Sequence, residues 1–456
     1  VVSTPAEIAA ATKRYYGIGA DTVEQMISEA VATGTIDLDS PTSEVLDDTM
    51  VDASIVKFVN ELLYEAISSD ATDIHIEPFE NELRVRNRID GILHQASVPP
   101  NIKEFHHSIV SRIKILANLN IAEHRLPQDG KIEATLGGEN YDLRVSILPT
   151  PHGETVNIRI LSRQSMFLSL NDLGLAGDQY NLFETLITRP HGVILVTGPT
   201  GSGKTTTLYA ALQKINNAER KIITIEDPIE YQLSGITQMQ VLEKIGFTFA
   251  RGLRSMLRHD PDIMMVGEIR DFETAEVAIR CSLTGHLVFS TLHTNDAASA
   301  VTRLIDMGVE PFLLASSIVA TIAQRLVRLV CPVCKTEYEP DDEALREMGV
   351  TRQDAAGHKF YRGVGCEACR FTGYKGRTAI YEILPFTEPI RRLAMNRQPS
   401  SVIKQTAIDN GMRTLRQDGW LRIIEGKTTF EEVLRVAQAE EGLGFTDGKD
   451  LNHAAV

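Results

Sequence analysis

The chain is poor in what membrane-embedded, secreted or nucleic-acid-coating proteins need. No stretch of its 456 residues reaches the roughly 18 consecutive apolar positions of a membrane span. Apolar runs such as 192–196 and 263–266 are strand-sized. Cysteine is scarce, at five, which excludes the disulfide scaffold of a small secreted domain. Four of the five form two C-x-x-C pairs, which in a reducing compartment read as metal ligands before disulfides. Basic residues are outnumbered, 46 against 61 acidic, for a net charge of −15. A surface that coats nucleic acid along its whole length is therefore excluded, although a local basic groove is not. No basic aromatic stripe is present either, so nucleic acid is not an expected partner, and a DNA-translocating ATPase is only a distant alternative. No signal-peptide pattern, internal repeat or low-complexity tract is found. The chain opens Val1-Val2-Ser3 without methionine, so its true N-terminus is expected upstream.

What is present divides into several regions. Residues 1–34 carry Ile8, Tyr15, Tyr16, Val23, Met26 and Ile27 at helical spacing, and are too few to bury a core alone. Residues 35–52 are acidic and contain Pro41, the pattern of a linker. From 53 to 170 a helix (55–67) leads into alternating, strand-like segments at 73–78 and 83–89, with Asp90-Gly91 as a hairpin turn. A second helix, 102–119, precedes Gln128-Asp129-Gly130 and strands around 132, 143–148 and 155–161. Together they predict an α+β domain. Over 171–456, apolar strand cores at 192–197, 222–226, 263–266 and 287–291 alternate with helical stretches. That is the signature of a mainly parallel sheet covered on both faces. Helices at 390–395, 402–410 and 430–439 are expected in the region 385–440.

The chemistry-bearing residues cluster in this last region. Gly198-Pro199-Thr200-Gly201-Ser202-Gly203-Lys204-Thr205 satisfies G-x-x-x-x-G-K-T between an apolar strand and a helical run that begins at Thr206. The glycines let the backbone curl so that its N–H groups face phosphate oxygens, and the helix adds its positive end. Lys204 is placed for the β- and γ-phosphates, and the Thr205 hydroxyl for Mg²⁺. The strand 263–266 ends in Gly267-Glu268, which makes Glu268 the candidate general base. Glu226, Asp227 and Glu230 crowd a third strand end, where a cation or arginines must lie among them, so at least one is expected to face the metal; the competing role for Asp227 is a helix cap. His286 and His293 flank the strand 287–291 as candidate γ-phosphate sensors or structural histidines. Arg251, Arg254 and Arg258 share one helix face, and Arg144 and Arg159 lie on two strands of the preceding domain. All are candidates to reach phosphate, with a solvated surface as the competing reading. Cys331, Cys334, Cys366 and Cys369 offer four thiolates for a structural Zn²⁺, and Cys281 reads as a packed small residue.

On these motifs the chain resembles the ATPases of type II secretion and type IV pilus assembly (the GspE/PilB group). The resemblance rests on the loop 198–205, the acidic stretch 222–231, the stretch 262–271 around Glu268, the histidine stretch 284–295 and the four cysteines. It implies an α/β fold: a RecA-like ATPase domain with a parallel-rich sheet over 171–456, a tetracysteine zinc insert at 328–380 and a helical C-terminal region. A PAS-like α+β domain at 53–170 and the remnant of a docking domain at 1–34 would precede it. It further implies ATP, Mg²⁺ and Zn²⁺, a homo-hexamer, and inner-membrane platform proteins as partners of a cytoplasmic, peripherally recruited motor. Arg144 and Arg159 match the family's nucleotide-sensing arginines. Arg254 and Arg258 match the pair before the catalytic strand, and Glu268 matches the catalytic glutamate. The cysteines count against a pilus-retraction role. Thr150-Pro151-His152-Gly153-Glu154, the stretch 247–254 and Ala323-Gln324-Arg325-Leu326-Val327-Arg328 look closer to the type II secretion branch than to pilus assembly.

Overall fold

A computed structural model describes residues 28–29, 36–37, 49–162 and 168–437. The helices expected within 1–34, most of the linker 35–52 and the last residues of the helix expected at 430–439 lie outside them. The chain forms two compact units, Val1–Phe167 and Leu168–Val456.

The first unit is a seven-stranded sheet in the order Ile36–Asp37, Gln128–Leu136, Glu139–Thr150, Gly153–Ser162, Ala71–Pro78, Leu83–Ile89, Ile92–Gln95. Strand alternation turns Ile74, Ile76, Val85, Ile132, Leu143, Val145, Ile147, Val156 and Ile158 into one buried set. The helices Val51–Ile67 and His106–Leu116 join this core. The first does so through Ile55, Phe58, Val59, Leu62, Leu63 and Ala66 at i, i+3, i+4 spacing. Asp90 and Gly91 both have positive φ, 48° and 84°, the backbone of a type I′ hairpin. The helix expected over 102–119 starts instead as a 3-10 turn, Pro100–Phe105, and is α-helical only from His106 to Leu116. Residues 128–130 already belong to a strand. Gly130 is needed there because a Cβ would lie 2.6 Å from the Ala117 carbonyl oxygen.

The second unit holds a sheet in the order Thr237–Gln240, Ile222–Glu226, Ile263–Val266, Leu287–Leu292, Gly192–Thr197, Ile318–Val330, Tyr374–Pro385. Neighbours are parallel except for the last pair, Ile318–Val330 with Tyr374–Pro385. The four strands expected from their apolar runs are buried throughout, as strands covered on both faces must be. Three others carried no such run. Thr237–Gln240 is a polar edge strand, and the long antiparallel pair mixes arginines and threonines with apolar residues. Residues 331–373 form the connection of that pair, so the four cysteines hang from the end of a β-hairpin. The C-terminal helices are Glu388–Met395, Ser400–Asp409, Leu415–Ile424 and Phe430–Val436. The third was not legible in the sequence. Its Gly419 lies where a Cβ would be 2.4 Å from Val433, so the glycine lets the last two helices approach closely.

Candidate functional site

The buried strand Gly192–Thr197 runs into the loop 198–203, and the helix Lys204–Ile215 starts immediately after it. The loop's glycines serve different ends. Gly201, at φ 78°, has open space around it and is required for its backbone alone. Gly203, at φ 87°, also lacks room, since a Cβ would lie 2.8 Å from Gln324 Nε2. Gln324 accepts in turn from the buried Thr207 hydroxyl at 2.8 Å, tying the loop's helix to the strand Ile318–Val330. Thr205 and Thr206 are half-buried on the first helical turn. The Ser202 hydroxyl is buried without a hydrogen-bond partner in the protein.

Lys204 Nζ donates to the carbonyl oxygens of Gly198, at 2.8 Å, and Pro199, at 3.0 Å. Burial lowers its pKa to about 8; the Glu268 carboxylate pulls it upward and the Arg325 guanidinium pushes it further down. The sequence alone does not mark Arg325 as a site residue. It is buried against the loop and donates to the backbone of Gln324 and Asn295, at 3.0 and 2.8 Å.

Glu268 follows the strand Ile263–Val266, two strands away from Gly192–Thr197, and the backbone on both sides of it is clamped. Gly267 N–H donates to Ile225 O at 2.8 Å, the Thr291 hydroxyl donates to Gly267 O at 2.8 Å, and Ile269 N–H donates to Thr291 O at 3.0 Å. Its carboxylate pairs with Arg270 and lies 3.3 Å from His293 Nε2. Arg270 also comes within 3.9 Å of Asp227. It is thus a cation for Asp227 and Glu268, though not for Glu226, and its place two residues after Glu268 was the available signal.

Glu226 has a different place. It is buried, accepts from the Tyr209 and Thr224 hydroxyls and from Gln238 Nε2 at 3.1 Å, and burial raises its pKa. These bonds join the loop's helix to two strands. Glu230 is close enough for its charge to act on Tyr209 and Tyr231. Asp227 stands in the loop after the strand and caps no helix.

The two histidines are separated. His293 sits beside Glu268, whereas His286, at the other end of the strand, bonds Cys281 O at 2.9 Å and the Thr284 hydroxyl at 3.1 Å through Nδ1. A strand of this length places the two ends roughly 15–20 Å apart. Arg254 pairs with Glu273 at 2.7 Å. Arg258 reaches back to Arg254 O and the Ser255 hydroxyl, each at 3.2 Å, and Arg251 to Gly246 O at 3.3 Å. In the first unit Arg144 and Arg159 are direct cross-strand partners, and Arg159 Nε lies 3.0 Å from Asp73.

The four cysteine sulfurs lie within 4.8 Å of one another. The distances are 3.9 Å for Cys331–Cys366, and 3.7 Å for Cys334–Cys369 and Cys366–Cys369. These exclude disulfides, with bonds of about 2.05 Å, and fit a tetrahedral metal site. Metal–sulfur bonds of about 2.3 Å place sulfurs about 3.8 Å apart. Cys369 Sγ further accepts from the N–H groups of Cys366 and Gly373, at 3.2 and 3.3 Å, as a thiolate would. Cys281 is buried apart from them, and burial raises its pKa to about 11.

Residues 48–435 match the profile of the family described as type II/IV secretion system protein. Type II secretion system protein E of Pseudomonas aeruginosa is 50% identical over 400 residues, covering 88% of this chain and 79% of that protein. The type IV pilus assembly ATPase PilB of Myxococcus xanthus is 45% identical over 439 residues, 95% of this chain and 77% of that protein. Among solved structures, the pilus retraction motor PilT with bound ADP superposes with a TM-score of 0.55 at 26% identity. That match covers 84% of this chain and 98% of PilT.

Proposed function

Because the chain belongs to the type II/IV secretion system protein family, and is an ATPase of its GspE/PilB group nearer to the type II secretion proteins, we propose that it is the hexameric motor that drives pseudopilus assembly in type II protein secretion. The observation that supports the ATP-hydrolysing core of this reading is the meeting of Lys204 and Glu268 at the C-terminal ends of parallel strands, close enough for the carboxylate to act on the ammonium's pKa. Ligands of open α/β sheets bind at that edge. The secretion role is supported by the likeness to the type II secretion proteins.

In this reading residues 198–205 hold the β- and γ-phosphates. Lys204 has a third donor for a phosphate oxygen, and the unpartnered Ser202 hydroxyl fits an anion there. Thr205 would hold Mg²⁺, which neutralises charge on the phosphate oxygens when bound. Glu268 takes the proton of the attacking water, with Arg270 and His293 fixing its orientation. Lys204 stabilises the charge developing on the transferred phosphoryl group. Arg144, Arg159, Arg254 and Arg258 are the proposed nucleotide-sensing arginines. Glu226 supports the site from behind the loop's helix, and Asp227, beside Arg270, is the one of the three carboxylates proposed to face the metal side of the site. The four thiolates fit Zn²⁺ as a closed structural site, because no coordination position remains open. Inner-membrane platform proteins are the proposed partners, recruiting a cytoplasmic motor to the membrane periphery.

The match to PilB extends over more of the chain than the match to the secretion protein, and it supports type IV pilus assembly as a second reading. Light scattering of the chain with a non-hydrolysable ATP analogue tests the ring. A six-subunit particle is expected, and a monomer under all nucleotide conditions would remove the hexamer. Restoring secretion or piliation in strains lacking either motor separates the two readings.

A further inference from the structure

Arg325 crosses the end of the strand that carries the phosphate loop. It stands on Ile318–Val330, two residues beyond Ala323, which is paired with Thr197 at the last position of Gly192–Thr197. Its guanidinium reaches Asn295, just past the end of Leu287–Leu292, and that strand flanks Gly192–Thr197 on the opposite side. The two flanking strands are about 10 Å apart, twice the spacing of neighbours in a sheet, so only a long side chain spans the gap. The loop leaves room for it. Gly198, the first loop residue, has φ 152°, and a Cβ there would lie 3.1 Å from Arg325 Nη1 and 2.7 Å from Gln324 O.

A planar fork makes this bridge. Nη1 donates to Gln324 O at 3.0 Å and Nη2 to Asn295 O at 2.8 Å, so the guanidinium ties the main chain on one side of the loop to that on the other. The charges of Glu382 and Asp296 act on it, and both carboxylates pair with Lys404, at 3.7 and 3.6 Å. Only 8% of Arg325 is exposed, and taking a guanidinium out of water costs solvation energy. Its bonds to main-chain oxygens offset part of that cost.

The segment that the fork holds begins at His293. Thr294 N–H donates to Thr197 Oγ1 and Ala297 N–H to Glu382 Oε1, each at 2.8 Å, and the Asn295 carbonyl lies between these two anchors. His293 is 3.3 Å from Glu268. A continuous route therefore runs from the phosphate loop through Arg325, Asn295 and His293 to Glu268, all within one compact unit. Lysine could carry the charge across the gap, but an ammonium lacks the fork.

We propose that Arg325 is a positioning residue for ATP hydrolysis, acting through Asn295 and His293 to hold Glu268 in register with the phosphate loop. This rests on the reading of Lys204 and Glu268 as two sides of the ATP site. Single-turnover phosphate release and equilibrium binding of a fluorescent ATP analogue test it in Arg325→Gln, Arg325→Lys, His293→Ala and Glu268→Gln. In Arg325→Gln the rate should fall by about 10–100-fold. Affinity should change by less than about threefold, because the loop's N–H groups and Lys204 remain. Arg325→Lys should lie between this variant and the parent. Added to His293→Ala, Arg325→Gln should slow hydrolysis by no more than about threefold further, since both act along one route. The proposal is overturned if Arg325→Gln hydrolyses ATP as the parent does, or if its loss lies in affinity and not in rate. It is also overturned if the substitution slows the His293→Ala protein as much as it slows the parent. Should Arg325→Gln fail to fold, Arg325→Lys carries the test, and a rate equal to the parent's overturns the proposal. Parent-like turnover in Glu268→Gln would remove the underlying reading of the site. Slow turnover there, with a parent-like Arg325→Gln, would overturn the proposal alone.

Discussion

Replacing Glu268 by glutamine separates a base from a structural support, because the surroundings of this side chain are held independently of it. Three hydrogen bonds fix the backbone at Gly267 and Ile269, and none involves the carboxylate. The amide oxygen can face Arg270 as a carboxylate oxygen does. The amide N–H₂ can donate to His293 Nε2, now 3.3 Å from the carboxylate, in the tautomer whose Nε2 accepts. Only the charge of an ion pair is lost, and the partner guanidinium is half exposed, so stability should change by about 0–1 kcal/mol. The proton acceptor is lost entirely. General-base contributions of about 10²–10⁴-fold correspond to roughly 2.7–5.5 kcal/mol of barrier, and turnover should fall by that factor. Nucleotide affinity should hold or rise at neutral pH and fall sooner as pH rises, because a negative charge near Lys204 disappears and with it the upward pull on the ammonium's pKa. Single-turnover phosphate release and equilibrium binding of a fluorescent ATP analogue measure the two effects. Turnover within a few-fold of the parent would place the base elsewhere, and loss of binding would make Glu268 a support.

The Lys204 ammonium, with its pKa lowered to about 8 by burial, is the form proposed to bind phosphate. Nucleotide affinity of the free protein should therefore fall above that pH by up to about tenfold per unit. Lys204→Arg, whose guanidinium stays charged, should flatten the profile in a titration of binding against pH. Metal analysis should find one zinc per chain. Chelation should speed hydrogen exchange across 331–373 and leave nucleotide binding intact, and a zinc-free active protein would end that assignment. Glu432 is buried against Arg328, at 2.7 Å, and Arg435. Glu432→Ala should cost about 3 kcal/mol in denaturant unfolding, since it strands the largely buried Arg328 guanidinium, whereas the half-exposed Arg435 returns to water. Burial pushes this carboxyl's pKa up, but Arg435 and Arg328 pull it below the ordinary value overall. Its contribution is thus present at neutral pH and is lost as pH falls below about 4.

Much of the fold was readable because its signals are local. The strands Leu83–Ile89, Gly192–Thr197, Ile222–Glu226 and Ile263–Val266 announce themselves by alternation or by a bounded apolar run. Ile318–Val330 does not. It is stabilised by pairing on both sides, one neighbour lying more than a hundred residues earlier, and its arginines break the run. Leu415–Ile424 was obscured by Gly419, a poor helix former kept for the approach of Val433.

The sequence by itself determined the candidate phosphate-binding loop, the candidate base, the four cysteines and the alternation of strand and helix, because each is written in spacing along a few consecutive residues. Tertiary structure alone decided which of these groups meet. It set His293 beside Glu268 and His286 at the far end of the strand. It engaged Glu226 with Tyr209, Thr224 and Gln238, inserted Arg270 among the carboxylates, and backed the loop with Gln324 and Arg325 from a strand over a hundred residues later. The physical reason is that contacts between strands depend on their order and direction in the sheet, and spacing along the chain does not encode either.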